Sequence, residues 1–313
     1  MRILVTDGID ANAKQQLLEK GHEVVEQFYA PEELGLALRE FDAAVIRSAT
    51  KIRAAQIDAC QNSRLKCIVR AGVGLDNIDV AYAQDHGIDV YNTPQASAES
   101  VAELALAHIF SCARYISICG KNMRDGRWEK KACGKGIEVR GKTLGIIGFG
   151  RIGQTLGQLA QALGMEVLAY DISRNKSLES DTMRYVDLEE LLKKSDFVSL
   201  HTPSIDGRPL VDAAFLSKMK HGAIFINTSR GNNVDEQALL DALNSGKIRA
   251  AGLDVYAQEP AANHELYSHP HVSCTPHIGA ATQEAQGRIG AEIVEIIENV
   301  QQFLSGFTIA TSA

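Results

Sequence analysis

One stretch constrains this chain more than any other: KTLGIIGFGRIGQTLGQLAQALGMEVLAYD, Lys142 to Asp171. TLGII reads as a buried strand, and Gly148-Phe-Gly150-Arg151-Ile152-Gly153 follows it. RIGQTLGQLAQALG has the spacing of an amphipathic helix, and EVLAY is a second strand that ends on Asp171. A strand, a GxGxxG turn, a helix, a strand and an acid about 20 residues on form the fingerprint of a dinucleotide site. Each part has a physical task. Gly148 permits the tight turn, Gly150 lets backbone approach a pyrophosphate, and Gly153 lets helix and strand pack closely. The amides and dipole at the helix start favour phosphate. The Asp171 carboxylate can accept from both ribose hydroxyls and would repel a 2′-phosphate, so NAD is expected over NADP; Arg174 and Lys176 soften that preference without reversing it.

Nearly half the chain precedes this unit, and it has its own core material. RILVTD, HEVVEQF, AAVIRS, LKCIVRAG and IDVYNT read as strands bounded by turn signals, with helical stretches such as ANAKQQLLEKG between them. That alternation predicts a parallel sheet with helical crossovers, so the fold class is α/β with two domains. NTPQASAES then breaks the rhythm, and Ser100 to Glu103 has capping-box spacing before one long helix, VAELALAHIFSCARYISIC, with Cys112 and Cys119 on one face. A basic passage with the single tryptophan, Trp128, follows. After Asp171 the strands resume, and a last helix is expected from about Thr282.

At 313 residues the chain can hold two cores, and 45% hydrophobic with 23% charged residues leaves no case for disorder. A net charge of −7 argues against nucleic-acid and anionic-membrane partners, so any anion site is a local basic pocket. The start, MRILVTDGID, lacks the apolar core of a signal peptide. The 6 cysteines are scattered and read as reduced thiols of a cytoplasmic protein, with Cys274 packed in a strand. His264, His269 and His271 lie in a Pro-flanked loop without regular ligand spacing, and no metal site is expected.

In an open parallel sheet ligands bind beyond the carboxyl ends of the strands. Here those ends carry His201 and Thr202 (SLHTP), Ser229 and Arg230 (FINTSRG), Asp254 and then Glu259 (GLDVYAQEP), and His277 (SCTPHIG). Core strands need no polar residues there. The set suits proton-coupled hydride transfer. His277 can exchange a proton with a hydroxyl. Glu259 would fix its tautomer and favour its charged form. Arg230 can bind an α-carboxylate bidentately. A second glycine pair, Arg70-Ala-Gly72-Val73-Gly74, lacks the third glycine and the terminal acid. It suits close approach of a small anion instead.

At these residues the chain resembles the D-2-hydroxyacid dehydrogenases along essentially its whole length: GFGRIG with Asp171, HTP at His201 to Pro203, NTSRG, LDVYAQEP and PHIGAAT. The resemblance implies a Rossmann domain, 99–281, inserted into a flavodoxin-like substrate domain made of 1–98 and 282–313, closing near Ala98 and Ala281. It implies cofactor contacts at Gly148, Gly150, Arg151, Ile152, Gly153, Asp171, His201, Thr202, Pro203, Thr228, Ser229, Asp254, Gly279 and Ala280, with Arg230, Glu259 and His277 catalytic. VIRSATKI, IVRAGVGLDNID, NTPQASAESVAELA and DGRWEKK are most similar to the branch that oxidises 3-phospho-D-glycerate toward serine. Substrate contacts are then expected from Arg47, Ser48, Arg70, Gly72, Val73, Gly74, Arg230 and His277. Arg47 and Arg70 at strand ends suit a phosphate carrying about −1.5 to −2. The alternatives are a hydroxypyruvate, glyoxylate or other D-2-hydroxyacid reductase, which would share all the catalytic residues, and, more distantly, a dinucleotide-sensing, protein-binding co-repressor of the same fold family. The resemblance also implies a homodimer through the 100–131 region, with Lys130 or Lys131 reaching a partner's site. There are departures. Asn232 stands for a usual glycine, where its tolerance of left-handed backbone would preserve the loop. Ala281 stands for a frequent serine. The chain stops without room for a serine-binding regulatory domain, so no serine feedback through one is expected.

Overall fold

The computed structural model describes residues 1–204 and 207–310, with side chains up to residue 306 among them. It separates into two compact units, Met1–Ser97 with the residues from Ala280 onward, and Ala98–Gly279. The divisions fall after Ser97 and Gly279, where the sequence suggested 98 and 281. Residues 311–313 of that expectation lie outside the described residues.

The first unit is built on β1 (Arg2–Val5), β2 (Glu23–Glu26), β3 (Ala43–Ile46), β4 (Cys67–Arg70) and β5 (Asp89–Asn92). All pair in parallel in the order β2-β1-β3-β4-β5. The central strands are covered on both faces, which is why they read as unbroken apolar runs. The edge strands carry Glu23, Glu26 and Asp89, charges that discourage pairing with another sheet. Alternate residues serve two cores. Ile3, Val5, Val45 and Val69 face Leu17 and the last helix, Gln283–Ala310, while Leu4, Ile46 and Ile68 face Leu34, Leu38 and Ile57. Ile289, Ile293 and Ile297 of that last helix are at most 3% exposed, and each contributes on the order of 2 kcal/mol by leaving water. The carboxy-terminal segment is therefore part of the first sheet's core, and Thr282 starts its helix by accepting the Ala285 N–H at 3.1 Å.

The second unit holds β6 (Thr143–Ile147), β7 (Glu166–Tyr170), β8 (Met183–Tyr185), β9 (Phe197–Leu200), β10 (Ala223–Asn227), β11 (Ile248–Leu253) and β12 (Val272–Cys274). They form one parallel sheet in the order β12-β11-β10-β9-β6-β7-β8. The chain reverses its direction of travel between β6 and β9, and the crevice at such a switch point is where dinucleotides bind. Every connection is a crossover, as parallel strands demand, and the unit has the Rossmann fold.

Three local expectations are corrected. Ser100 is no cap: the helix starts at Ala98, and the Ser100 hydroxyl donates to the Gly279 carbonyl at 2.7 Å, 179 positions away. The long helix is two. It stops at Arg114, Tyr115 turns left-handed with φ 57°, and a new helix runs Ile116–Arg124. Cys112 and Cys119 therefore share no helix face. Nor are all six cysteines reduced, because Cys119 and Cys133 form a disulfide across a loop of 14 positions. Cys60, Cys67 and Cys112 are free and buried, whereas Cys274, expected to be packed, is exposed. Among the described residues no single helix is long and apolar enough to cross a membrane.

Candidate active site

In the second unit the glycine turn closes as its spacing demands. Gly148 has φ 88°, and a Cβ there would lie 2.7 Å from the His201 carbonyl. A Cβ on Gly153 would lie 2.4 Å from the Gly148 oxygen, whereas one on Gly150 would meet nothing within 4 Å. Two glycines thus permit packing, and the middle one leaves open space at the amino terminus of the Arg151–Ala162 helix. Arg151 is exposed there and Ile152 half-buried. Asp171 steadies the turn, accepting from the Phe149 N–H at 2.7 Å and the Ser173 N–H at 2.8 Å.

The ends of β9 and β10 lie beside it. His201 Nε2 is 2.8 Å from Ser199 Oγ, and burial pushes the imidazole down to about 4, so it is neutral near pH 7. Thr202 Oγ1 and the Pro203 carbonyl both accept from Asn233 Nδ2, at 3.2 and 2.8 Å. Ser229 donates its N–H and hydroxyl to Asn227 Oδ1, and Asn227 Nδ2 donates to the Arg230 carbonyl at 2.9 Å. Two polar atoms here, His201 Nδ1 and Thr228 Oγ1, are buried without a hydrogen-bond partner in the protein, as a ligand-binding crevice requires. Asn232 does not adopt the left-handed backbone expected of it. Residues Gly231–Asn233 form a short 3-10 turn, and the loop is kept by Gly231, whose Cβ would fall 1.9 Å from the Tyr256 backbone.

Past β11 and β12 a carboxylate and an imidazole meet. Glu259 Oε2 lies 2.7 Å from His277 Nδ1, each side chain 38% exposed. Burial pushes the Glu259 carboxyl up, but the hydrogen bond and charge of His277, the Tyr256 N–H and the Arg230 guanidinium outweigh it and leave it below its ordinary value. Glu259 is therefore an acceptor, and of the two ring nitrogens of His277 it engages Nδ1 and not Nε2. His277 itself has left-handed backbone, φ 54°. Its N–H donates to the Asp254 carbonyl at 2.8 Å, and the Asp254 carboxylate accepts from the Ile278 and Gly279 N–H groups at 2.8 and 2.9 Å. Asp254, expected at the cofactor, is 1% exposed and braces the loop of His277. Ala280 falls in the first unit, where its carbonyl accepts from Gln286 Nε2.

In the first unit Arg47 follows β3 and Arg70 ends β4, whose partner in register is Ile46. Two cations thus stand on neighbouring strand ends. Asp7 accepts from the Arg47 and Thr50 N–H groups at 2.7 and 3.2 Å, and Asn77 Nδ2 donates to the Arg47 and Thr50 carbonyls, both at 2.7 Å. The turn 47–50 is pinned on both sides, with Ser48 exposed on it. Gly72, φ 141°, makes room for the Arg70 guanidinium, which a Cβ would overlap at 1.6 Å. Arg70 Nη1 donates to the Ala71 carbonyl, Val73 is exposed, and Asn92 Nδ2 holds the Val73 carbonyl ahead of Gly74 at 2.6 Å. The sequence reading missed Asp7, Asn77, Asn227 and Asn233. The available signal was polar residues at or just past strand ends.

A family model described as "D-isomer specific 2-hydroxyacid dehydrogenase, NAD binding domain" matches residues 106–279. The chain belongs to the D-isomer specific 2-hydroxyacid dehydrogenase family. This dehydrogenase is 48% identical over 302 residues to the hydroxypyruvate reductase of Thermotoga maritima, covering 95% of this chain and 97% of that one. It is 42% identical to the D-3-phosphoglycerate dehydrogenase of Methanocaldococcus jannaschii, covering 96% of this chain but 57% of the relative's length. Among solved structures, the TT0316 protein of Thermus thermophilus matches with a TM-score of 0.85 and 36% identity over 94% of this chain and 95% of that one. The D-lactate dehydrogenase of Aquifex aeolicus, solved with NAD and lactic acid, gives 0.83 and 30% over 97% and 96%. The dehydrogenase uses NAD, which the open glycine turn, the acid at the end of β7 and the two unpartnered atoms fit.

Proposed function

We propose that this dehydrogenase interconverts 3-phospho-D-glycerate and 3-phosphohydroxypyruvate, with Arg47 and Arg70 binding the phosphate. The observation that carries this reading is the pair of arginines at adjacent strand ends, one of them on a turn pinned by Asp7 and Asn77. Gly148 to Gly153 and Asp171 hold the dinucleotide, and Thr202, Ser229 and Thr228 face it. Bound NAD would supply the acceptor for the hydride from C2 of the hydroxy acid, and bound NADH the donor in the reverse direction. The protein moves the proton. With Nδ1–H donated to Glu259, His277 has its Nε2 lone pair free to take the hydroxyl proton in oxidation, and returns it in reduction. Arg230 binds the α-carboxylate and polarises the reacting carbonyl. A homodimer through the 100–131 region completes the proposal; the exposed Ile116, Met123 and Trp128 support it.

A second reading, reduction of hydroxypyruvate itself, is favoured by the near full-length similarity to the Thermotoga maritima reductase. One experiment separates the two: NADH consumption with phosphohydroxypyruvate, hydroxypyruvate, glyoxylate and pyruvate side by side. Losing a charge-assisted bond of about 1.5–3 kcal/mol, Arg47→Ala should cut kcat/KM for phosphohydroxypyruvate by roughly 10- to 150-fold and for glyoxylate by less than about threefold. Equal losses, or a wild-type preference for hydroxypyruvate, reject the phosphate reading.

A further inference from the structure

Behind the His277 loop lies a buried polar chain that the proton transfer does not use. His108 sits within the Ala98–Arg114 helix, 3% exposed, on the same buried side as Ala105, Ile109 and Cys112. Gly252 on β11 makes room for it: a Cβ there would lie 2.6 Å from His108 Cβ. His108 Nδ1 is 3.1 Å from Ser273 Oγ and Nε2 is 3.0 Å from Thr275 Oγ1. Thr275 Oγ1 is 2.6 Å from Asp254 Oδ1.

The directions of these bonds follow from what each group can do. A carboxylate only accepts, so the Thr275 hydroxyl uses its one proton on Asp254. Toward His108 that hydroxyl can then only accept, so Nε2 carries the hydrogen. Nδ1 is bare, and Ser273 donates to it. Of the two neutral tautomers only Nε2–H satisfies all three partners. Burial pushes the His108 imidazole down against the pull of the Asp254 charge, which keeps that neutral form.

We propose that His108 is a positioning residue for His277: its Nε2–H fixes the Thr275 hydroxyl on Asp254, and Asp254 holds the loop in the left-handed turn that presents the imidazole. A left-handed non-glycine residue costs about 1–2 kcal/mol, and it persists only where its surroundings over-determine it. Here those surroundings are the Asp254 carbonyl and carboxylate, engaged by residues 277, 278 and 279. An aliphatic side chain at 108 would bring no polar group of its own into the core, though it would leave the Ser273 hydroxyl without the imidazole. The inference rests on the reading of His277 as the proton-transfer group.

The test combines His108→Leu, His108→Gln, Thr275→Val and the double variant H108L/T275V, assayed for NADH-dependent reduction of whichever 2-oxo acid the wild type prefers. H108L should lower kcat at least tenfold with KM for NADH unchanged within twofold and a Tm within a few degrees of wild type. H108Q, whose Nε2 donor can reach the same hydroxyl, should recover kcat to within threefold of wild type. T275V should match H108L, and the double variant should be no worse than either. Nitrogen-15 spectra of histidine-labelled protein without cofactor, assigned with H108Q, should show His108 with Nε2 protonated and Nδ1 bare. Wild-type kcat in H108L, failure of H108Q to rescue, multiplicative losses in the double variant, or the opposite tautomer would each overturn the proposal. His277→Gln keeps the two readings apart: if it retains wild-type kcat the role of His277 itself falls, whereas a dead H277Q beside a fully active H108L sinks only the positioning role.

Discussion

Replacing Glu259 by Gln tests the acid/base pair directly, because it removes a charge and almost no volume. In the structure Glu259 Oε2 is 2.7 Å from His277 Nδ1, and Glu259 Oε1 accepts from the Tyr256 N–H at 3.3 Å. A hydrogen bond between charged groups is worth about 1.5–3 kcal/mol. Both side chains are 38% exposed, so water screens the pair and the lower part of that range applies, about 1.5–2 kcal/mol. At 1.36 kcal/mol per tenfold in rate, kcat should fall roughly 10- to 30-fold. KM for NADH should stay within about twofold, since no glycine-turn contact is lost. The assay is steady-state NADH oxidation with the preferred 2-oxo acid, with a thermal melt to show that folding is intact. Glu259→Ala should fall further than Gln, which can still accept from Nδ1 through its amide oxygen. A Gln variant with wild-type kcat would refute the reasoning, as would a loss seen only in KM.

Three further outcomes follow from the same geometry. Asp171→Ala frees the Phe149 and Ser173 N–H groups and removes the proposed ribose partner. NADH should bind about 10- to 100-fold more weakly by fluorescence titration, with NADPH losing less; equal losses would remove Asp171 from the cofactor preference. Gly231→Ala places a methyl 1.9 Å from the Tyr256 carbonyl carbon and oxygen, backbone that cannot retreat. It should shift Arg230 and lower kcat/KM by about 100-fold, and a wild-type value would contradict the packing. Asp42 accepts from the Arg2 N–H at 2.6 Å and from Arg64 at 2.7 and 2.9 Å. Burial pushes its carboxyl up, but those bonds and the Arg64 charge prevail and hold it below its ordinary value. A lowered pKa stabilises the fold above the unfolded value of about 3.9 and the effect is lost as pH falls through the folded one. Asp42→Asn should therefore lower Tm by a few degrees at pH 7 and by progressively less below pH 4; a pH-independent difference would show that the charge is irrelevant.

Much of this was legible in one dimension because it depends on near neighbours. The glycine turn, its helix and Asp171 are set by steric and dipolar rules acting within about 20 residues, and the strands of both sheets are set by apolar runs buried on two faces. The residues at strand ends, from Arg47 to His277, could be read because a parallel sheet gives a core strand no other reason to end in a polar side chain. Glu259 beside His277 was readable as a pair for the same reason.

What the tertiary structure decided lies across distances no local window spans. Ser100 has the spacing of a cap, yet a carbonyl 179 positions away claims its hydroxyl. Tyr115 interrupts an apolar run whose composition favours continuing, and the disulfide from Cys119 to Cys133 follows in the next segments. Asn232 keeps its loop through the closeness of Gly231 to the Tyr256 backbone, not through a left-handed turn. His108 looks in sequence like one polar residue on an apolar helix; 167 positions separate it from Thr275, its partner on the way to Asp254. For Ser100 and His108 the physical reason is the same. Backbone preference and hydrophobic period are properties of short segments, whereas the partner of a buried polar group is fixed only when sheets and helices have packed and its desolvation must be repaid by a hydrogen bond.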